Sequence, residues 1–237
     1  MKCNFSYNHY QSILKQALKM GFTIISFGDY PKFSKKPKII LLRHDIDYSP
    51  QRALAIAKIE KKLGLKSTYF VRVHGEYYHP FDHQSYSAIK MITELGHEIG
   101  LHSEARSLAQ EFKIPVVALF RIEKEILEKI FDLKVVSASE HADLGRSQNY
   151  WQKHLFAQIA KRKVGIKHYP QEWSDFKYLS DSLGSWKEGC LCQNLRKYVK
   201  IQALVHPDWW GPGAQKEIRK LIKANPLAKN VKISIPR

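Results

Sequence analysis

The feature that most constrains this chain is the run Leu41-Leu42-Arg43-His44-Asp45-Ile46-Asp47, where an apolar stretch ends in a histidine and two carboxylates spaced i and i+2. Charged groups are too costly to bury unpaired, so a strand that stops this way has to open into a polar mouth. Further along, Gly96-His97-Glu98-Ile99-Gly100-Leu101-His102-Ser103 repeats the arrangement, a short strand-like run closing on a histidine. Two strands that aim carboxylate and imidazole donors at one place can assemble a hydrolytic metal site.

Strand and helix signals alternate around these runs. Tyr10, Leu14, Leu18 and Met20 lie near helical spacing before Gly21, a short strand follows at 22–27, and 32–38 is a Pro/Lys linker. Residues 39–43 predict the first buried strand. Ser49 and Pro50 supply an N-cap and a first helical position for a helix whose Ile56, Ile59 and Leu63 share a face until Gly64. Further strands are predicted at 67–73, 98–101, 135–138, 177–179 and 199–205, a helix at 86–95, and a helical stripe at Leu119, Ile122, Ile126 and Ile130. The stretch 143–175 is less regular.

This alternation predicts an α/β fold with a mostly parallel sheet, open or closed into a barrel. The polar residues fall on one side of the pattern. His44, Asp45 and Asp47 follow the first strand, His74 the second, His102 the third, His141 the fourth, Asp181 the fifth and His206 the sixth. In a parallel barrel these strand ends share one face, where β/α-barrel active sites are built.

The 237 residues, 44% of them hydrophobic, suffice for one sizeable core, so one domain is expected across 1–237. Within it, 1–37 forms an N-terminal extension, 38–210 the barrel, and 211–237 a C-terminal helix and basic tail. The first twenty residues hold only short apolar runs broken by polar ones, which argues against a signal peptide or membrane span and for a cytoplasmic location. Cys3, Cys190 and Cys192 are odd in number and lack a second Cys/His pair at zinc-finger spacing, so they read as reduced thiols with no assigned chemistry. The net charge of +17 would attract nucleic acid, anionic lipid, or anionic glycan and nucleotide groups. Its lysines are scattered without an aromatic ladder, so a solvated basic surface is the simpler reading and nucleic acid is not an expected partner.

Five elements in order carry a resemblance: Arg43-His44-Asp45-Ile46-Asp47, Ser67-Thr68-Tyr69-Phe70, Gly96-His97-Glu98-Ile99-Gly100-Leu101-His102-Ser103, Ser180-Asp181-Ser182 with Trp186, and Leu204-Val205-His206-Pro207. Over 39–210 the chain resembles the polysaccharide deacetylase superfamily, the NodB-homology or carbohydrate esterase family 4 fold, in its divergent branch beginning Arg-His-Asp-X-Asp. The resemblance implies a distorted (β/α) barrel of about seven parallel strands with an N-terminal helical extension. It also implies a hydrolase that uses one divalent metal ion, zinc being expected, to remove an N-acetyl group from an amino sugar of a surface polysaccharide or its precursor. The basic surface would suit an anionic or pyrophosphate-linked substrate.

Residue by residue, Asp45 matches the family's general base and Asp47 its metal-binding carboxylate. His102 matches the first metal histidine, with Ser103 beside it, and His206 the late histidine that acts as general acid. Asp181 and Trp186 match the region that orients that histidine and lines the sugar pocket. The usual adjacent Asp pair is spread over Asp45-Ile46-Asp47, so base and ligand could be exchanged.

The chain departs from the family at Arg106, which stands where the second metal histidine belongs and cannot ligate zinc. Ser139-Glu140-His141-Ala142-Asp143 replaces the family's Arg-Pro-Pro segment, and His141 could supply the missing nitrogen. The alternative is a weakly held metal or none, which leaves open a catalytically impaired, glycan-binding relative. Hydrolysis of a non-sugar amide or imide also stays open, because a fold does not fix its substrate. Arg43 and His44 read as groups that fix the carboxylates, and Trp209 with Trp210 as core or as a stacking surface for sugar. His97 reads as a packing residue, and His79 and His83 as loop residues because Pro80 spoils the helix between them.

Overall fold

The computed structural model describes residues 3–141, 158–159, 161–170 and 173–224; Ala142, Asp143, much of the irregular stretch and the tail at 225–237 lie outside them. Ser6 caps α1 (Tyr7–Lys19) by accepting the His9 amide, and the helix buries His9, Tyr10, Ile13, Leu14 and Ala17. Leu18 is 37% exposed. Repeated steps of four overshoot the 3.6-residue turn, so the stripe that starts at Tyr10 passes to Ile13 and Ala17 instead. Then follow β1 (Thr23–Ile25), α2 (Tyr30–Phe33) and β2 (Ile39–Ile46). In α3 (Pro50–Lys62) the Ser49 hydroxyl accepts the Arg52 amide, as the cap signal predicts.

The remaining elements are β3 (Thr68–Val71), α4 (His83–Glu94), β4 (Glu98–Ser103), α5 (Ala105–Leu108), α6 (Val116–Phe131), β5 (Ala138–Glu140), β6 (Lys177–Ser180), α7 (Leu191–Asn194), β7 (Lys200–Val205) and α8 (Ala214–Ala224). Two further expectations are corrected here. The buried stripe of α6 is Leu119, Phe120, Glu123, Leu127 and Phe131, while Ile122 is 41% exposed. Glu123 turns inward because the Ser103 hydroxyl and the Glu104 amide donate to its carboxylate, which rotates the helix away from the purely apolar stripe. The fourth strand begins at Ala138 rather than 135, because Val136 and Ala138 bond to the 167–168 backbone and the pairing of β5 with β4 starts only at Ala138, opposite Leu101.

Every strand pairing is parallel, in the order β5-β4-β3-β2-β7-β6, with β1 also on β2. The sheet curls into a half-barrel, the distorted barrel expected from the sequence. β1 pairs with Ile39, Ile40 and Leu41, and β3 with residues from Arg43 onward, so the N-terminal extension adds a strand to the sheet.

Strand alternation sorts β2 into two faces. Ile40, Leu42 and Ile46 pack into the core under the helices, whereas Ile39 and Leu41 join Phe27, Phe70 and Phe176 inside the half-barrel. Full burial of each such side chain contributes roughly 1.5–3 kcal/mol. Arg43 and Asp45 continue the inner face, so the strand interior runs from apolar to charged toward its C-terminal end. Gly100, the cross-strand partner of Phe70, lets that ring lie across the sheet, since an added Cβ would stand 2.5 Å from its edge. Among the described residues no helix is long and apolar enough to cross a membrane.

Candidate active site

Asp45 and Asp47 reach the mouth from the end of β2, His102 from β4, His141 just past β5, and His206 just past β7. One ligand atom each from Asp47, His102 and His141 lie within 4.8 Å of one another. His102 Nε2 stands 3.5 Å from both Asp45 Oδ2 and Asp47 Oδ1, and His141 Nε2 is 3.8 Å from Asp47 Oδ1. His141 is placed by its own amide, which donates to the Ser103 carbonyl at 2.9 Å. Arg106 points elsewhere, donating to Glu140 at 2.9 Å. The nitrogen missing from position 106 is thus available from the β5 end.

The two carboxylates differ in surroundings. Arg43 grips Asp45 through Nε at 3.1 Å and Nη2 at 2.5 Å, and its Nη2 also donates to the Ser139 hydroxyl at 2.6 Å. Its guanidinium lies 5.0 Å over the Phe70 ring. Burial alone would raise the Asp45 carboxyl, but Arg43, His102 and His206 outweigh it and hold it below the ordinary value. Burial works on Asp47 the same way, and there the neighbouring imidazoles of His102, His141 and His206 outweigh it and keep the carboxyl well below.

Three observations test whether these groups suit a cation. Asp47 Oδ1 is buried without a hydrogen-bond partner among the described residues. His102 Nδ1 faces the Ser139 carbonyl at 3.3 Å, an oxygen that only accepts, so Nδ1 carries the proton and Nε2 turns toward two carboxylates. Burial drives His141 down to about 4, which leaves its ring neutral and able to donate a lone pair. One carboxylate and two imidazoles fit a divalent transition metal such as zinc, with coordination left open for water or substrate.

On the other side, His206 Nδ1 donates to Asp181 at 2.7 Å and its Nε2 stands 3.9 Å from Asp47 Oδ2. Asp181 also accepts the His206 amide at 2.9 Å and the Trp210 indole N–H at 2.8 Å. Burial opposes a charge on His206, yet the hydrogen bond and charge of Asp181, aided by Asp47 and Asp45, raise it to about 9.

Several expected residues stand apart. His44 faces outward from β2, fully buried, with Nε2 at 2.7 Å from Glu60 and Nδ1 at 3.2 Å from the Val205 carbonyl, so it does not fix the carboxylates. Alternation explains this, since Arg43 shares a face with Asp45 and His44 does not. Trp209 and Trp210 are 4% and 0% exposed, and the Trp209 ring is covered by Gly184 and by Arg219 at 5.9 Å. These indoles are core. Trp186 packs against the same core, half-buried. His74 turns to Glu123 at 3.6 Å. His97 is buried between Ser67, Glu60 and the Ala57 carbonyl. Sequence reasoning gave Ser139 and Asp208 no role and read Trp210 without its bond to Asp181, because these partners are set by tertiary structure.

A parallel half-barrel with carboxylates and imidazoles gathered at the C-terminal strand ends defines an α/β protein with a candidate metal centre. Its fold is that of the polysaccharide deacetylases, the NodB-homology architecture. IcaB from Ammonifex degensii matches with a TM-score of 0.50 at 15% identity over 88% of each chain. The chitin deacetylase of the fungal pathogen Colletotrichum lindemuthianum gives 0.49 at 15% over 80% of this chain and 81% of that one. A CE4 family pseudoenzyme from Bacillus anthracis gives 0.46 at 14%, over 78% of this chain and only 61% of its own length. At these identities the likeness is one of fold. No family model matches the sequence, and no curated protein matches it either.

Proposed function

We propose that the chain is a metal-dependent hydrolase that removes an N-acetyl group from an amino sugar of a surface polysaccharide or its precursor. The observation that carries this reading is the convergence of Asp45, Asp47, His102 and His141 opposite an Asp181-held His206. Asp47, His102 and His141 would hold one divalent ion. When bound, such an ion supplies Lewis acidity toward an acyl oxygen and makes water acidic enough to react at neutral pH.

The chain's own groups divide the proton transfers. Asp45, kept ionised by Arg43, accepts a proton from the water whose oxygen adds to the acetamide carbon. His206, kept protonated by Asp181, donates its Nε2 proton to the sugar nitrogen as the C–N bond breaks, releasing acetate and the free amine. Of the two carboxylates, Asp47 suits the ligand, with Oδ1 lacking a hydrogen-bond partner among the described residues, and Asp45 suits the base, with both oxygens tied to Arg43.

Two measurements test the reading. Elemental mass spectrometry of wild type, His102→Ala and His141→Ala should find about one ion for this site in the first and loss of it in both variants. Metal-loaded protein should then release acetate from N-acetylated oligosaccharides. Bound metal without turnover on any acetylated glycan would overturn the deacetylase and leave a glycan-binding relative; no metal after reconstitution would overturn the site itself.

A further inference from the structure

The structure assigns a second metal site, distant in chemistry from the first, to Cys3, His9, Cys190 and Cys192. Their ligand atoms, three Sγ and one imidazole nitrogen, all lie within 4.8 Å of one another. Cys3 Sγ is 3.4 Å from Cys192 Sγ, and Cys190 Sγ is 3.5 Å from His9 Nε2. A tetrahedral zinc with bonds near 2.3 Å to sulfur and 2.0–2.1 Å to nitrogen separates its ligand atoms by roughly 3.5 Å for sulfur and nitrogen and roughly 3.8 Å for two sulfurs, so the Cys190–His9 edge already has the span such an ion requires and the Cys3–Cys192 edge needs to open by only a few tenths of an ångström. The three cysteines are free thiols, Cys3 and Cys192 standing well beyond the roughly 2.05 Å of a disulfide.

Local structure on both sides presents these donors. Cys190 caps α7 and Cys192 lies in its first turn. The loop before them is braced by Asn194, whose amide donates to the carbonyls of Glu188, Gly189 and Cys190, each at 3.1 Å. Gln193 Oε1 accepts the Cys190 amide at 3.0 Å. From the other side, Asn4 Oδ1 accepts the Ser6 amide and the Ser6 hydroxyl accepts the His9 amide, which fixes the turn carrying Cys3 into the helix carrying His9. His9 is 5% exposed, and among the described residues its Nδ1 has no hydrogen-bond partner, so its polar contact is with a thiol alone.

Three thiolates and an imidazole form a soft, closed donor set that selects zinc over the hard cations and leaves no position open for substrate. The site is therefore structural. It ties the N-terminal segment to a loop 189 positions away, a long closure that constrains the unfolded chain strongly. It also holds His9 stacked on Trp210, ring centroids 6.4 Å apart, and Phe5 against the same indole at 4.9 Å.

Cobalt(II) tests the site, because thiolate ligation gives an intense near-ultraviolet charge-transfer band that Asp47, His102 and His141 cannot produce. Full-length protein purified under reducing conditions and loaded with Co2+ should show that band. Zinc content should be about two ions per chain when both sites fill, falling to about one in Cys190→Ser and Cys192→Ser, which lose the band, and in His102→Ala, which keeps it. Absence of the band in Co2+-loaded wild type, or a Cys3–Cys192 disulfide found by mass spectrometry, overturns the site. The wild-type spectrum needs no variant to fold, and its outcome is independent of the deacetylase reading.

Discussion

The Asp208 carboxylate accepts the Asp47 backbone N–H at 3.1 Å, and with it the amides of Tyr48 at 3.2 Å and Ser49 at 2.7 Å. A fully buried acid just past β7 thus holds the turn in which the candidate ligand sits. Burial, with the charge of Asp47, raises Asp208 to about 7 even though these amides favour its ionised form. Asp208→Ala leaves the donors without an acceptor and should cost about 3 kcal/mol in urea unfolding. Asp208→Asn, which keeps an accepting oxygen, should cost less than half as much. Displacement of Asp47 should also weaken zinc binding by about 10–100-fold in Asp208→Ala, read by competition with a chelator.

Asp45 and Asp47 should separate cleanly on substitution. Asp45→Asn is expected to keep the ion while lowering acetate release by about 10²–10⁴-fold, the usual contribution of a positioned base. Asp47→Asn should lose both ion and turnover. Elemental analysis beside a turnover assay decides the matter: full activity in Asp45→Asn, or a metal content in Asp47→Asn undiminished from wild type, reverses or removes the division of roles.

Trp210 acts on the site through Asp181, donating at 2.8 Å to the carboxylate that orients His206. Trp210→Phe keeps most of the ring and removes that donor, so kcat should fall about 10-fold while KM stays near the wild-type value. An equal rise in KM would instead place the indole against substrate.

The parts of this molecule legible in the sequence are those that depend on local periodicity. The apolar runs located the strands, and the Ser49-Pro50 pair located the start of α3. β2 was expected to end at Arg43, yet it continues to Ile46 because each charged residue finds a partner on its own face: Arg43 with Asp45 and Ser139 inside, His44 with Glu60 outside. Strict period-two reasoning would have separated His44 from Arg43, Asp45 and Asp47. Asp208 gave no signal, and Trp210 was legible as core but not as a donor, since one binds backbone amides and the other a carboxylate 29 positions away. Cys3 and His9 lie too far along the chain from the Cys190-X-Cys192 pair for spacing to reveal the cluster.

Glu60 gives a pH prediction away from the candidate metal site. Fully buried, it bonds Tyr10, His44 at 2.7 Å, Ser67 at 2.6 Å and Tyr69 at 2.8 Å. Burial would raise its carboxyl, but the charge and hydrogen bond of His44, the charge of His97 and the Ser67 hydroxyl bring it down to about 2. A carboxyl depressed on folding stabilises the native state above its unfolded value of about 4.5, and that stability is lost as pH falls from there toward 2. The loss should be on the order of 3 kcal/mol. Glu60→Gln should be less stable at pH 7 and show a flatter decline below pH 4.5 in thermal unfolding. A decline as steep as that of wild type would assign the acid sensitivity to other groups.

Gly100 ties the half-barrel interior to the site. A methyl added there would meet the Phe70 ring at 2.5 Å and the Ser137 carbonyl at 3.0 Å, and Phe70 is the ring over which Arg43 lies at 5.0 Å. Gly100→Ala should therefore destabilise the protein by about 1–3 kcal/mol, as overpacking does, and disturb the Arg43–Asp45 pair by pushing the ring. Phe70→Leu leaves a smaller, flexible side chain at the cross-strand position. If the ring contact is the cause, the double variant should be less destabilised than the sum of the two singles, with a coupling of about 1 kcal/mol in urea unfolding. Simple additivity would place the strain on the Ser137 carbonyl instead, and Arg43 would then be expected to keep its hold on Asp45.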